Sequence, residues 1–253
     1  MNDLFGIQGL HVLVTGGSSG LGRFFATFLA ARGARVTVGA RRAEALTKTV
    51  DDIAAAKGQA QSVVMDVTVG ASIASALDTA EARFGPIQIV INNAGVTATR
   101  PALQQDESDW DKVIDTNLKG VWLVAQTAGR RMVAYKVKGS IVNVASILGL
   151  RVASSVAPYA ISKAGVVQMT KALALEWARY GIRVNALAPG YFATELTGML
   201  ADPGFVAEIE SQTLLGRAPS IEELDGPLLF LASDASSYVT GHTLVVDGGW
   251  TCT

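Results

Sequence analysis

Residues 11–40 read HVLVTGGSSGLGRFFATFLAARGARVTVGA: a short apolar run, a glycine-rich turn, a helical stretch and a second apolar run. The near-continuous apolar character of HVLVT predicts a strand covered on both faces, as in a parallel sheet. Thr15-Gly-Gly-Ser-Ser-Gly-Leu-Gly22 follows it and opens the helix. Glycine at 16 permits the tight turn, Gly20 lets backbone approach a pyrophosphate, and Gly22 allows close helix–strand packing. The helix start offers unpaired N–H groups and positive dipole to phosphates, with hydroxyls from Ser18 and Ser19. Alone, such a turn is only a tight connection; between the first strand and first helix it reads as a cofactor site.

The same rhythm runs to the end of the chain. Strands are predicted at 11–15, 35–40, 62–66, 87–92, 140–145, 183–188 and 243–247, and helices at 21–32, 43–57, 72–84, 110–135, 159–179 and 221–232. Gly33, Gly58, Gly85, Gly139 and Gly181 separate helix from strand, where a left-handed turn is needed. The expected fold is α/β: a doubly wound, Rossmann-type parallel sheet of about seven strands, helices on both faces, one domain over residues 1–253. Residues 191–220 fit this rhythm least. They follow the sixth strand, at the edge where such sheets bind ligands, and suggest a substrate lid. A surface helix pair used in oligomer contacts is the alternative.

Composition narrows the function classes. The 253 residues carry 21 basic and 22 acidic side chains, a formal charge of −1, so no net positive field exists to hold nucleic acid or an anionic membrane. With 49% hydrophobic and 17% charged residues, the chain calls for a large buried interior and for subunit interfaces. One cysteine, Cys252, excludes an intrachain disulfide, and the separated His11 and His242 leave no zinc cluster. No export signal or run of roughly 20 apolar residues is evident, so a soluble cytoplasmic protein without metal is expected.

Tyr159 and Lys163 lie four apart in an apolar helical stretch, which stacks them on one face. An ammonium near a phenol favours phenolate and lowers the tyrosine pKa towards neutrality, which suits proton transfer to or from an oxygen. Ser146, just after the fifth strand, reaches the same sheet edge and can hydrogen-bond a reacting carbonyl. Tyr159 is the only tyrosine followed by lysine at the fourth position.

The glycine spacing, G-x-x-x-G-x-G, departs from the usual G-x-G-x-x-G. Here the chain resembles the short-chain dehydrogenase/reductase family, and the likeness extends over nearly its whole length. Asn92-Asn-Ala-Gly95 resembles that family's NNAG; Asn117, Ser146, Tyr159 and Lys163 resemble its catalytic tetrad; Pro189-Gly190 with Thr194 resembles its PGxxxT. The resemblance implies that Tyr159 is general acid for reduction and general base for oxidation, that Ser146 orients the substrate oxygen, and that Lys163 also holds the nicotinamide ribose. Asn117 would support a proton-relay water. Cofactor contacts would come from Gly16, Ser18, Ser19, Gly20, Leu21 and Gly22, from Asp66 and Val67 at the adenine, and from Asn93, Ala94 and Gly95. Tyr159, Lys163, Pro189, Gly190, Phe192 and Thr194 complete the set. It also implies a homotetramer built on the helices at 121–134 and 159–178, with the tail 243–253, including Trp250, meeting a neighbour.

An NAD site usually carries an acid at the end of the second strand. Ala40 stands there, followed by Arg41 and Arg42, whose guanidinium groups suit a 2′-phosphate. NADP(H) is the expected cofactor and NAD the less favoured one. Arg23 is a further basic candidate near the turn, and Glu44 is a candidate ion-pair partner for Arg41 and Arg42. Candidate substrate-pocket residues are Val96, Thr97, Ile147, Leu148, Leu150, Val152, Tyr191, Phe192, Leu196 and Met199. Their apolar character favours a hydrophobic ketone or secondary alcohol, while Arg100 and Arg151 are candidate carboxylate partners. Within the resembling family, a 3-oxoacyl thioester reductase and an NAD-dependent alcohol or sugar dehydrogenase are the alternatives. A dinucleotide-sensing regulator is the reading from another class, and it has no need for Ser146, Tyr159 and Lys163 together.

Overall fold

A computed structural model describes residues 3–192 and 203–252. Seven parallel strands form one sheet in the order β3-β2-β1-β4-β5-β6-β7: β1 (His11–Thr15), β2 (Arg35–Ala40), β3 (Gln59–Val64), β4 (Ile89–Asn92), β5 (Ser140–Val144), β6 (Arg183–Pro189) and β7 (Thr243–Val246). The order reverses between β1 and β4, which opens a crevice at their carboxyl ends, the place where such sheets take ligands. β1 pairs with β2 from His11–Arg35 to Thr15–Gly39, and with β4 from Val12–Ile89 to Val14–Ile91.

Eight α-helices are described: α1 (Gly20–Ala31), α2 (Ala43–Ala55), α3 (Gly70–Phe84), α4 (Glu107–Ile114), α5 (Gly120–Ala134), α6 (Ala157–Trp177), α7 (Pro203–Gln212) and α8 (Asp225–Ala232). Strand alternation sorts the core. Val12 and Val14 of β1 and Ile89 and Ile91 of β4 join Phe25 and Leu29 of α1, Leu46 and Ile53 of α2, and Leu228 and Leu231 of α8 on one face. Leu13 and Val90 point the other way, to Ile73 and Leu77 of α3, Val124 and Met132 of α5, and Leu173 of α6. Both faces are buried, which is why the strands read as continuous apolar runs rather than alternating ones.

The expected helix over 110–135 is interrupted. Residues Asp115–Lys119 form a π turn between α4 and α5, with Asn117 buried inside it. Such a widened turn spoils the regular ladder and is found mostly where a side chain has another task. Among the described residues of the stretch expected to be irregular, 191–220, α7 occupies Pro203–Gln212.

The helix-terminal turns also differ from expectation. Gly33, Gly85 and Gly181 take positive φ, but after α2 and α5 the left-handed residues are Lys57 (φ 63°) and Lys136 (φ 56°), not Gly58 and Gly139. Those two glycines serve packing instead: a Cβ on Gly58 would meet Ile53 Cγ2 at 2.7 Å, and one on Gly139 would meet Met132 Sδ at 2.4 Å. A left-handed lysine carries about 1 kcal/mol of steric cost. Lys57→Gly, with no ion pair to lose among the described residues, is therefore expected to raise unfolding stability by up to about 1 kcal/mol, less the extra chain entropy of glycine. Urea unfolding checks this; a loss of stability would show that the lysine turn is not strained.

Candidate active site

A cavity of about 470 Å³ lies over the β1–β4 crevice. Its floor is the turn from β1 into α1. Gly16 has φ +69° and no room for a side chain, since a Cβ would meet Ala94 Cα at 2.9 Å; a Cβ on Gly22 would meet the Gly16 carbonyl oxygen at 2.2 Å. Ser18, Ser19, Gly20 and Leu21 line the cavity at the α1 N-terminus, whose first turn contains no acid. At the end of β2, Arg41 and Arg42 line the same cavity, and Arg42 Nη2 donates to Ser19 Oγ at 3.2 Å. Arg23 turns elsewhere and pairs with Asp52 of α2. Glu44 forms no ion pair with either arginine among the described residues.

Two loops wall this floor. Thr15 pins the first: its Oγ1 accepts from the backbone N–H groups of Asn93 and Ala94, each at 3.0 Å, while Asn93 Nδ2 donates to the Thr15 carbonyl at 3.1 Å. Asp66 and Val67, just past β3, form the second. Asp66 Oδ1 accepts from Thr68 N and Oγ1 at 2.9 and 2.7 Å, and these bonds hold its carboxyl below the usual range. Gly95, Pro189, Gly190 and Phe192 complete the lining. Phe192 is almost wholly buried and belongs to the core on the α1 side. Thr194, Leu196 and Met199 lie outside the described residues.

The glycine cradle, acid-free helix terminus and paired arginines fit a dinucleotide with an added phosphate. Backbone N–H groups and hydroxyls would meet its pyrophosphate, and guanidinium groups its remaining charge.

Ser146, Tyr159 and Lys163 line the far end of the same cavity, and Asn117 lies behind it. α6 carries Tyr159 and Lys163 on one face, with Lys163 Nζ 5.6 Å from the Tyr159 ring centroid. Lys163 is 3% exposed, and its ammonium donates to the Val144 carbonyl at 2.7 Å, tying α6 to the end of β5. Burial lowers its pKa to about 8. Ser146 Oγ accepts from Leu148 N–H at 3.1 Å and lies close enough to Tyr159 to pull its pKa down.

Tyr159 departs from the expected electrostatics. Its phenol is pushed above the ordinary value by burial, against the opposing pull of Ser146. Lys163 is not among the groups that lower it; its ammonium lies over the ring and donates to the Val144 carbonyl. Tyr159 is thus held as a neutral acid, a form able to protonate an oxygen.

Asn117 uses its side chain as a clamp. Its Oδ1 accepts from Val96 N–H and its Nδ2 donates to the Val96 carbonyl, both at 2.8 Å. Nδ2 also donates to Ser162 Oγ at 3.3 Å, and Ser162 donates to the Tyr159 carbonyl at 2.7 Å. Thr15, the Val144 carbonyl and Ser162 were not singled out by the sequence reasoning. Thr15 and Ser162 adjoin recognised motifs; a backbone carbonyl such as Val144 leaves no side-chain signal.

On the substrate side, Val96 lines the cavity, while Ile147 and Leu148 are buried beneath it with Ala160. Leu150 and Val152 are exposed. Arg100 is held by Asp109 at 2.9 Å and Asp106 at 3.5 Å, and Arg151 donates to the Thr251 carbonyl. Trp250 packs edge-on against Tyr191 of its own chain.

Sheet order, glycine cradle and the Ser-Tyr-Lys cluster together define a dinucleotide-binding oxidoreductase of the doubly wound class. A family profile described as enoyl-(acyl carrier protein) reductase matches residues 16–251, and the chain belongs to the short-chain dehydrogenase/reductase family. It is 40% identical over 250 residues to gluconate 5-dehydrogenase of Gluconobacter oxydans (strain 621H), covering 98% of this chain and 97% of that protein. It is 38% identical over 242 residues to the 3-oxoacyl-(acyl-carrier-protein) reductase of Salmonella typhimurium (strain LT2), covering 96% and 97%. The crystal structure of a gluconate 5-dehydrogenase from Burkholderia cenocepacia J2315, in complex with NADP and tartrate, superposes with a TM-score of 0.95 at 38% identity, covering 99% of this chain and 98% of that one. Among the described residues no helix is long and apolar enough to cross a membrane.

The buried lysine makes a stability prediction with a definite sign. Below pH 8 Lys163 is charged in both folded and unfolded chains, and the burial penalty is fully present; above its ordinary pKa of 10.5 it is neutral in both, and the penalty is gone. Lys163→Met removes the penalty. Its stability relative to wild type is expected to be about 3 kcal/mol more favourable below pH 8 than above pH 10.5. Urea titrations at the two pH extremes measure the difference, and a pH-independent difference would contradict a charged, buried lysine.

Proposed function

We propose that this protein is an NADP(H)-dependent dehydrogenase/reductase that interconverts a secondary hydroxyl and a carbonyl on a polyhydroxylated acid of the gluconate class. The observation that carries the chemistry is the cluster of buried Ser146 and Lys163 with half-buried Tyr159 at the end of the glycine-floored cavity. A bound reduced nicotinamide would supply hydride to the carbonyl carbon. Ser146 and Tyr159 hydrogen-bond the carbonyl oxygen, and Tyr159 delivers its proton as negative charge develops there. Lys163 holds positive charge near the phenol, and Asn117 fixes the loop at Val96 on one side and α6 through Ser162 on the other.

The substrate class draws on the relatives, whose names are those of sugar-acid dehydrogenases. The hydrophobic ketone expected from loop composition finds no support among them. A second reading, a 3-oxoacyl thioester reductase, is favoured by the exposed apolar residues Leu150 and Val152 next to the site. NADP preference is supported by Ala40 in the acid position and by Arg41 and Arg42 in the cavity.

Assays of 340 nm absorbance loss from reduced nicotinamide, with sugar keto-acids, simple ketones and 3-oxoacyl thioesters, test both readings. Sugar keto-acids are expected to give the highest kcat/KM, and a thioester preference would sink the first reading. Tyr159→Phe is expected to lose on the order of 10²–10⁴ in kcat. Arg42→Asp is expected to raise KM for NADPH roughly tenfold or more and leave KM for NADH within about threefold. A wild type that prefers NADH would contradict the cofactor assignment.

The same reading includes a tetramer. A groove of about 320 Å³ between α5 and α6 carries Trp122, Trp177 and Tyr180, with Arg130 and Glu176 on its walls. Among the described residues neither charge is in an ion pair, so two copies related by a two-fold axis can exchange Arg130–Glu176 pairs. Glu176→Arg is expected to shift the mass in light scattering to a smaller oligomer, and an unchanged mass would place the interface elsewhere.

A further inference from the structure

A second phenol stands beside Tyr159. Tyr191 follows Pro189-Gly190 at the end of β6 and packs, with Tyr159, Val156 and Trp250, on the small cluster of Ile147, Leu148 and Ala160. Its ring is held edge-on between Phe205 of α7, at 5.5 Å, and Trp250, at 5.7 Å.

The corner is rigidly built. Asp247 Oδ1 accepts from Gly249 N–H at 2.9 Å and Oδ2 from Thr251 N–H at 2.8 Å, which closes the turn carrying Trp250. Gly190 lies against Asp247, where a Cβ would meet the Asp247 Cα at 3.0 Å, so the end of β6 and the C-terminal turn fit together closely. Arg151 donates to the Thr251 carbonyl from the loop after β5. Tyr191 is therefore fixed by three separate pieces of chain, and a preorganised group of this kind loses little entropy on binding.

Its hydroxyl has no protein hydrogen-bond partner among the described residues, although the ring is half-buried. A tyrosine with its ring packed and its hydroxyl open presents an apolar body and a polar tip. Burial, and the nearby Glu208 carboxylate, push its pKa up, so it remains a donor at every working pH. Tyr159 and Tyr191 are close enough that charge on one raises the pKa of the other. Two phenol donors in one packed cluster can address two oxygens of one ligand.

We propose that Tyr191 is a specificity-determining residue: its hydroxyl hydrogen-bonds a substrate hydroxyl on the carbon next to the carbonyl, and so selects hydroxylated ketones over plain ones. This rests on the reading of a polyhydroxylated substrate above, and the test separates the two. A site built to hydrogen-bond a substrate hydroxyl discriminates against the analogue lacking it.

The experiment compares wild type with Tyr191→Phe on acetoin, on butanone, which lacks only its hydroxyl, and on 5-keto-D-gluconate, the substrate class named for a relative. Wild type is expected to favour acetoin in kcat/KM. Tyr191→Phe is expected to reduce that preference roughly tenfold, mainly through KM, the loss of about one hydrogen bond. Butanone turnover should stay within about twofold, which also reports that the variant is folded. An unchanged preference, an equal loss on both ketones, a wild type as efficient on butanone as on acetoin, or one inactive on both would overturn the proposal. If the acetoin preference depends on Tyr191 while 5-keto-D-gluconate is not reduced, Tyr191 stands and the sugar-acid reading falls.

Discussion

The site depends on one buried cation. Lys163 lies inside the protein with its ammonium against the Val144 carbonyl, at 2.7 Å. A lone charge in such a place is costly and persists only where the surroundings are arranged to receive it. The arrangement here is an exact fit of helix to strand end. α6 comes so close to the turn after β5 that Gly149 meets the Lys163 backbone, where a Cβ would be 2.8 Å from its carbonyl carbon. That approach fixes the height of Tyr159 relative to Ser146, and hence the place where a carbonyl oxygen can sit.

A second set of constraints holds the nucleotide end. Thr15 accepts two backbone N–H groups from the loop after β4, so the wall of the cleft is bonded to the strand that forms its floor. Arg42 is steadied by Ser19, and the Asp66 carboxylate is held by Thr68. The cleft therefore offers positive charge at its β2 edge and keeps its nearby carboxylate in local hydrogen bonds.

The π turn at Asp115–Lys119 links the two ends. By placing Asn117 inward it ties Val96, beside the NNAG loop, to Ser162 and so to Tyr159. A regular helix through this point was the expectation from the apolar spacing of residues 110–135. Periodicity could not show the break, because the gain comes from hydrogen bonds to residues 21 and 45 positions away. The same holds for the turns at Lys57 and Lys136. Glycine is the natural candidate for a left-handed residue, but Gly58 and Gly139 are reserved by close packing against Ile53 and Met132, so the neighbouring lysines take the strain.

The sequence by itself determined the class of fold, the strand order's consequence of a cleft at the carboxyl edge, and the identity of the residues around it. These follow from local signals: apolar runs, helix periodicity, glycines at set spacings, and a tyrosine and lysine one turn apart. Tertiary structure alone decided the electrostatics and the outer wall. Whether the Tyr159 pKa rises or falls depends on how deeply the phenol is buried and where the Lys163 ammonium is held, here on Val144, a backbone carbonyl. Likewise, Tyr191, Phe205 and Trp250 are scattered along the chain and become one aromatic corner only when β6, α7 and the C-terminal turn are brought together. Charge placement and pocket shape are set by distances between remote residues, and no local pattern encodes them.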